Sequence, residues 1–272
     1  MQYELVISDM DGTLLRDDKT ISPRTKEAIR RFEAAGGRFS FATGRGVEAS
    51  QRYFRELQLT TPLVLLNGSL LYDPVNDRDL VVRSLTQDVV AAAWPLLVEA
   101  GLHLIVHGTR RGVVRQMTPT IAEHLELDGI TVDLRPDLSP ATAGTVMKIL
   151  TIGEPEQLDR AEEAILAARL PVKLVRSHHT YLEVLPPEGG KGTGVTALLA
   201  HLGIPREHSL ALGDYLNDLD LLAAAGLGVA MANAHPGLKA VAQRETLTNM
   251  EDGVAAVLDA LVEGRPVGRP IS

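Results

Sequence analysis

The chain has 272 residues, of which 45% are hydrophobic and 23% charged, a composition typical of a globular protein with one large domain or two modest ones. A formal net charge of −8 argues against a nucleic acid or an anionic membrane held by bulk charge, and the absence of cysteine excludes disulfides, a thiolate nucleophile and zinc–thiolate sites. Because no apolar run approaches the roughly 18–20 residues that span a bilayer and the first residues do not form a secretory signal, we expect a cytoplasmic protein.

The first part of the chain alternates short apolar strands with helices. LVIS, RFSFATG and PLVLLNG are predicted strands, and a predicted helix lies in each of the two intervals between them. The first helix has the clearest boundaries, since Ser22 can cap its N-terminus, Pro23 suits its first position and Gly36 and Gly37 end it. Strands that alternate with helices predict βαβ units, a parallel sheet and right-handed crossovers.

Around Asp77 the pattern changes to paired strands and intervening helices. Helices are predicted at 87–100, 119–125 and 155–168, and strands at 102–107, 112–115, 145–152 and in the segments VKLVRS and TYLEVLP. This arrangement predicts an α+β module with an antiparallel sheet. After PPEGG the strand–helix alternation returns and continues to a final helix, and the tail RPVGRPIS is predicted to be frayed.

The simplest organisation is therefore a core domain interrupted by an insertion. We predict a fold of the α/β class, with a Rossmann-like doubly wound parallel-sheet core formed by residues 1–81 and 187–272. Residues 82–186 are predicted to form the inserted α+β domain.

Polar residues follow several core strands at their carboxyl ends. In an open parallel sheet, ligands bind beyond these ends, near the point where the strand order reverses. The residues in question are Asp9, Asp11 and Gly12 after the first strand, Thr43 and Gly44 after the second, Asn67 and Gly68 after the third, and Asp214, Asn217 and Asp218 after a later one. Lys191 stands at the start of the helix that follows the insertion. We expect these groups to gather at one edge of the sheet.

The residue types in this group indicate phosphoryl transfer. Carboxylate oxygens without nitrogen or sulfur donors suit Mg²⁺, which would neutralise the repulsion between Asp9 and Asp214. Lys191, Thr43 and backbone N–H groups would hold phosphate oxygens. One aspartate can attack phosphorus and form an acyl phosphate, while a second protonates the leaving group and later takes a proton from water. Gly12 permits the turn that such a division of roles requires.

The motifs DMDGT, ATGR, a following lysine and GDYLND, in this order, resemble those of the haloacid dehalogenase (HAD) superfamily of phosphatases. The position of the insertion resembles the Cof-type, or IIB, cap subclass. The resemblance implies that Asp9 is the nucleophile and Asp11 the general acid/base. It further implies phosphate binding by Thr43, Gly44, Lys191 and Asn217, and Mg²⁺ binding by Asp9, the Asp11 carbonyl, Asp214 and Asp218.

Single motifs of the sequence each have a simpler interpretation, as an EF-hand loop, a P-loop or a histidine metal site. An EF-hand loop starting at Asp9 would need Gly and Glu where Leu14 and Thr20 stand. A P-loop at GGKGT would need Gly at position 185, which is Leu185, and Ser or Thr at position 192, which is Gly192. His178 and His179 are adjacent, and on a strand they would point to opposite faces, so we predict surface or cap-sheet residues and not a metal site.

The function predicted from the sequence is a Mg²⁺-dependent phosphatase that hydrolyses a small soluble phosphate monoester, either a sugar phosphate or a phosphorylated cofactor, through an aspartyl phosphate on Asp9. Two alternatives stay open: a phosphosugar mutase similar to the phosphomannomutases, and a non-catalytic sugar-phosphate sensor on the same fold. The expected partner is a small phosphorylated metabolite, with neither nucleic acid nor membrane, and the expected state is a monomer or a small homo-oligomer.

Overall fold

The computed structural model describes residues 2–271 and divides into two compact units. The first comprises residues 2–44, 53–80 and 190–271, and the second comprises Arg45–Arg52 and Val81–Gly189. The short segment Arg45–Arg52 packs with the second unit although the sequence analysis groups it with the core. The bounds 82–186 for an inserted domain stay a prediction.

The strands, in chain order, are β1 (Leu5–Ser8), β2 (Arg38–Phe41), β3 (Leu63–Leu65), β4 (Leu70–Asp73), β5 (Arg78–Val82), β6 (His103–His107), β7 (Gly112–Val114), β8 (Val132–Leu134), β9 (Lys148–Ile152), β10 (Lys173–His178), β11 (Tyr181–Leu185), β12 (Ser209–Gly213), β13 (Leu227–Ala230), β14 (Arg244–Glu245) and β15 (Arg269–Pro270). The α-helices are α1 (Pro23–Ala34), α2 (Val47–Glu56), α3 (Gln87–Glu99), α4 (Pro119–Asp128), α5 (Pro155–Ala167), α6 (Lys191–Leu202), α7 (Leu219–Ala224), α8 (Pro236–Lys239) and α9 (Gly253–Val262).

The sheet of the first unit has the strand order β2-β1-β12-β13-β14-β15, and all neighbours except β14 and β15 are parallel. A single parallel bridge between Ala42 and Val64 links β2 to β3, so the parallel strands follow the Rossmann order 3-2-1-4-5-6. The order reverses between β1 and β12, which pair in register from Leu5 with Ser209 to Ser8 with Leu212. The predicted α/β class with a parallel-sheet core is confirmed.

Local signals in the sequence account for the first helix. The side chain of Ser22 accepts a hydrogen bond from the N–H of Thr25, Pro23 occupies the first helical position, and the helix ends before Gly36. The buried side chains of this helix include Ala28, Ile29 and Phe32, spaced as an amphipathic helix requires.

The sheet of the second unit has the order β10-β11-β9-β6-β7-β8. Helices α3 and α5 contribute Val90, Leu97 and Leu158 to a hydrophobic cluster with strand residues such as Ile149. Helix α4 contributes Ile121 and Leu125 to a second cluster with Ile105 and Leu150, which alternate with the first set along the strands. The inserted segment is thus an α+β layer structure.

Three local expectations are corrected. Strands β7 and β8 are parallel, whereas the sequence predicted only antiparallel pairing in this unit. Strands β4 and β5 were not predicted. The tail predicted to be frayed contributes β15, whose Arg269 pairs with Glu245 of β14. No helix in the described part of the chain combines the length and the apolar character needed to cross a bilayer.

Candidate active site

Two acidic residues lie together at the point where the strand order reverses. Asp9 directly follows β1 and Asp214 directly follows β12, and the two strands are hydrogen-bonded neighbours. The N–H of Asp9 donates to the Leu212 carbonyl at 2.9 Å, which continues the parallel pairing to the edge of the sheet. Residues separated by about two hundred positions in the sequence are thus adjacent because β1 and β12 end side by side.

Lys191, the first residue of α6, lies between two carboxylates. Its Nζ atom is 2.6 Å from Oδ1 of Asp9 and 2.6 Å from Oδ1 of Asp218, and all three side chains are at least nine-tenths buried. A buried ammonium group needs such partners to offset its loss of hydration. The two carboxylates therefore stabilise the charged form, and they raise the pKa of Lys191 well above its usual value despite burial.

Close packing of glycines positions Lys191. The N–H of Gly190 donates to the Asn67 carbonyl at 2.7 Å, and a Cβ at Gly68 would collide with the carbonyl oxygen of Gly190. Gly192 and Gly194 likewise leave no room for a side chain against α7 and β3. The glycines of GGKGTG thus allow α6 to pack closely and place Lys191, which explains a motif that does not fit a P-loop.

Asp218 organises the turn after β12. Its Oδ2 atom accepts hydrogen bonds from the N–H groups of Asp214 at 3.0 Å and Tyr215 at 3.2 Å, while Oδ1 accepts from Lys191. The side chain is fully buried, and a Cβ at Gly213 would lie 2.6 Å from that of Asp218. Both carboxylate oxygens are therefore engaged within the protein, and they fix Asp214 and Lys191 relative to each other. Asn217 lies half-buried in the same 3₁₀ turn, Leu216–Asp218.

The carboxylates of Asp9, Asp214 and Asp218 crowd one another. One oxygen from each lies within 4.8 Å of the others, and one lysine is bonded to two of them. Burial and then the charge of Asp218 raise the pKa of Asp9 well above its usual value. The same two causes raise the pKa of Asp214 to about 6. Raised pKa values of this kind mean that the site disfavours the ionised carboxylates unless a cation balances their charge.

The site fits a divalent cation. Three convergent carboxylates provide hard oxygen ligands and an unbalanced negative charge, which is the donor set that Mg²⁺ prefers. Asp9 and Asp214 are the residues that could bind such an ion directly, because both oxygens of Asp218 already accept hydrogen bonds from the protein.

Asp11 faces a different environment from Asp9. Its side chain is 40% exposed, and Oδ1 accepts from Nζ of Lys19 at 2.7 Å, within the loop that follows β1. Gly12, which directly follows Asp11, has φ +79°, and a Cβ at this position would overlap the carboxylate of Asp214. A buried and a partly exposed carboxylate two residues apart can serve different chemical roles.

Thr43 and Gly44 follow β2, the strand on the other side of β1. Thr43 is buried, its N–H donates to the Val64 carbonyl, and its carbonyl accepts from the N–H of Asn67, both at 2.9 Å. The structure thus places the predicted residues 9, 11, 43, 44, 191, 214, 217 and 218 in one unit, at the carboxyl ends of neighbouring strands or at the start of α6. Their assigned roles stay predictions.

Two contributors to this site were given no role from the sequence. The Thr13 hydroxyl donates to Oδ1 of Asp214 at 2.8 Å; Thr13 belongs to the DMDGT motif, which could have drawn attention to it. Lys19 lies eight residues beyond Asp11 in a turn with φ +61°, and nothing in the local sequence predicts their contact.

Comparison with known proteins agrees with this geometry. A family model described as haloacid dehalogenase-like hydrolase matches residues 6–258. The chain is 32% identical over 266 residues to the 5-amino-6-(5-phospho-D-ribitylamino)uracil phosphatase YitU of Bacillus subtilis, covering 93% of this chain and 96% of that protein.

Solved structures show the same fold. A haloacid dehalogenase-like hydrolase from Bacteroides thetaiotaomicron superposes with a TM-score of 0.84 at 27% identity, covering 95% of this chain and 99% of the other. The HAD subclass IIB sugar phosphatase BT4131 superposes with a TM-score of 0.82 at 22% identity over 95% and 98% of the two chains. The predicted resemblance to a Cof-type phosphatase is confirmed, and with a family model matched from β1 to α9 this chain belongs to the haloacid dehalogenase-like hydrolases.

Proposed function

We propose that this chain is a Mg²⁺-dependent phosphatase that hydrolyses a small phosphate monoester through an aspartyl phosphate on Asp9. The observation that carries the proposal is the buried pair of Asp9 and Lys191 beside Asp214, at the reversal of the strand order. A sensor that only binds phosphate has no need of the second carboxylate, Asp11, two residues from the first.

The first step is attack by a carboxylate oxygen of Asp9 on phosphorus. The bond from phosphorus to the ester oxygen breaks, and Asp11 in its carboxylic acid form gives its proton to that oxygen, so an alcohol leaves. Lys191 holds the Asp9 carboxylate by a hydrogen bond of 2.6 Å and provides positive charge beside the oxygen that attacks.

In the second step a water molecule attacks the phosphorus of the acyl phosphate. The Asp11 carboxylate takes the proton of that water, the bond from Asp9 to phosphorus breaks, and inorganic phosphate is released. To act in either step, Asp11 must break its hydrogen bond from Lys19 or transfer the proton through an oxygen that still accepts this bond. Hydrogen bonds of catalytic groups commonly rearrange when substrate binds.

Mg²⁺, when bound, supplies charge neutralisation between the carboxylates and the phosphoryl group. Asp9, Asp214 and the backbone carbonyl of Asp11 are the proposed ligands. Asp218 was predicted as a fourth ligand, and its hydrogen bonds support a positioning role instead, since its oxygens hold Lys191 and the N–H groups of residues 214 and 215. Thr43, Gly44 and Asn217 are proposed to bind the phosphate.

The proposed substrate class is a sugar phosphate or a phosphorylated cofactor or cofactor precursor. YitU is named for a phosphoribityl compound and BT4131 for sugar phosphates, and these names support a polyol or sugar ester for this chain. Residues 82–186 are proposed to form the cap that contacts the leaving group. A cytoplasmic location is proposed with this substrate class.

The test is release of inorganic phosphate from a panel of phosphorylated metabolites, compared by kcat/KM, with p-nitrophenyl phosphate as a generic ester. Activity should disappear in EDTA and return with Mg²⁺. Hydrolysis in the absence of a bisphosphate activator would indicate a phosphatase, and activity that requires the activator would indicate a phosphosugar mutase. Full activity in the presence of EDTA would contradict the metal dependence, and tight binding of phosphate esters without turnover would indicate a sensor.

A further inference from the structure

Two asparagines far apart in the sequence bind the loop that follows the predicted general acid. The side chain of Asn249 donates from Nδ2 to the Leu15 carbonyl at 3.0 Å and to Oδ1 of Asp17 at 3.1 Å. Asn249 is buried, in the 3₁₀ turn Asn249–Glu251 before α9. It therefore joins the C-terminal part of the first unit to the loop after β1.

The second asparagine continues this connection. Oδ1 of Asn233 accepts from the N–H of Asn249 at 3.1 Å, and Nδ2 of Asn233 donates to the Gly12 carbonyl at 2.8 Å. The segment from Gly12 to Leu15 is thus held at both ends by one chain of hydrogen bonds. We call Asn233 and Asn249 together the amide clamp.

The clamped loop determines the surroundings of the Asp11 side chain. Asp11 forms a backbone bridge with Leu15, whose carbonyl the amide clamp holds. Lys19 is the ion-pair partner of Asp11, and its backbone N–H donates to the Arg16 carbonyl in the next turn of the same loop. The Tyr53 hydroxyl donates to the Lys19 carbonyl at 3.1 Å. Movement of the loop would therefore move both the backbone of Asp11 and the cation that faces its carboxylate.

We propose that Asn233 and Asn249 are positioning residues, which act through Asp11 by holding its loop in the geometry needed for proton transfer. This inference rests on the proposed phosphatase function and adds to it. Proton transfer is sensitive to displacement of the acid, since a misplacement of about 1 Å can lower a rate by about a hundredfold. Asp9 has separate anchors in β1 and Lys191, so nucleophilic attack should depend less on the amide clamp.

The experiment measures kcat/KM of the wild type and of variants with two substrates. One is an alkyl phosphate found active in the metabolite panel, and the other is p-nitrophenyl phosphate. An alkoxide leaving group needs a proton, whereas p-nitrophenolate is stable enough to leave without one. Because kcat/KM is measured from free enzyme and substrate up to formation of the aspartyl phosphate, it leaves out the later hydrolysis step, and the comparison of the two leaving groups reports the proton donation. Asn249→Ala and the isosteric Asn249→Asp should each lower kcat/KM for the alkyl ester about tenfold or more and change the aryl value by less than about threefold.

A double-mutant cycle shows whether the effect passes through Asp11. In an Asp11→Asn background, Asn249→Ala should cause no further loss with the alkyl ester, since the group that it positions is already absent. Asn233→Ala, a change at an exposed side chain, repeats the test if the buried change at Asn249 prevents folding. Asn76→Ala is the matched control, because Asn76 donates to Oδ2 of Asp73 at 2.8 Å in a turn of the same unit, and it should leave both substrates unchanged.

Equal loss for the two esters, or full additivity with Asp11→Asn, would overturn the positioning role and leave the phosphatase function standing. A wild type that hydrolyses no phosphate ester of the metabolite panel in Mg²⁺ would instead refute the proposed function, and the inference would fall with it.

Discussion

Replacing Asp214 with asparagine should make the metal-free protein more stable while it removes activity. Burial and the charge of Asp218 raise the pKa of Asp214 from 3.8 to about 6. A shift of about two units corresponds to about 3 kcal/mol of ionisation free energy lost in the folded state. Asparagine has the same shape and can still accept the hydrogen bond from Thr13, so it removes the charge and little else.

The pH dependence of this effect has a defined sign. A carboxyl group whose pKa is raised by folding destabilises the folded state where it must ionise, which is above its unfolded-state pKa near 4. The penalty is absent below that value, grows as the pH rises through about 6, and is complete above it. Without metal, Asp214→Asn should thus be about 3 kcal/mol more stable than wild type at pH 8, and the difference should shrink towards zero near pH 4.

Urea denaturation in EDTA, followed by circular dichroism at several pH values, measures the difference. Asp18→Asn is the matched control, because hydrogen bonds from Thr20 lower the pKa of this exposed carboxyl group, so its removal should not stabilise at any pH. In Mg²⁺ at about a hundred times its dissociation constant, wild type should gain about 3 kcal/mol and Asp214→Asn much less. A metal-free variant less stable than wild type at pH 8, or a difference independent of pH, would refute this reasoning.

Three further changes test the site in different ways. Asp9→Asn should abolish phosphate release and acyl-phosphate formation, measured by rapid quench with a radiolabelled ester, while the circular dichroism spectrum stays that of the wild type. Lys191→Met should lower the free energy of unfolding by about 3–5 kcal/mol in urea, because the buried carboxylates of Asp9 and Asp218 lose their cation. Gly12→Ala should lower kcat by more than about a hundredfold, because the new Cβ would meet the Asp214 carboxylate and the φ of this residue is +79°. Gly36→Ala is the control: this residue also has a positive φ but lies in open space, so the change should affect only stability.

Each of these has a contrary outcome. Retained turnover in Asp9→Asn would remove Asp9 as the nucleophile. A Lys191→Met protein as stable as wild type would mean that the ion pairs do not offset the burial of charge, and an active Gly12→Ala would mean that the loop can move away from Asp214.

The parallel-sheet core could be predicted because its signals are local and repeated. Strands β1, β2 and β12 are short and largely apolar, and Asp9, Thr43 and Asp214 follow them directly or within two residues. The reversal of strand order brings these ends together whatever the detailed packing. Ser22, Pro23 and the glycines after α1 set the ends of this helix through contacts and backbone preferences within a few residues in the sequence. That helix was therefore predicted nearly to the residue.

The features that were not predicted depend on contacts between distant segments. Strands β14 and β15 have two residues each and are held by pairing with a neighbour rather than by their own propensity. The pairing of β7 with β8 places two three-residue strands in parallel across α4, a choice that no periodicity encodes. The contact of Lys19 with Asp11 and the amide clamp likewise arise only after the loop has folded back.

The organisation of the site follows from one imbalance of charge. Three carboxylates share a buried site with one lysine, so burial and then the uncompensated negative charge raise the pKa values of Asp9 and Asp214. Glycine at positions 12 and 213 lets the backbone approach these acids where a side chain would displace them. The same crowding that destabilises the metal-free protein therefore creates its affinity for a cation, and removal of the Asp214 charge should improve stability only by giving up metal binding.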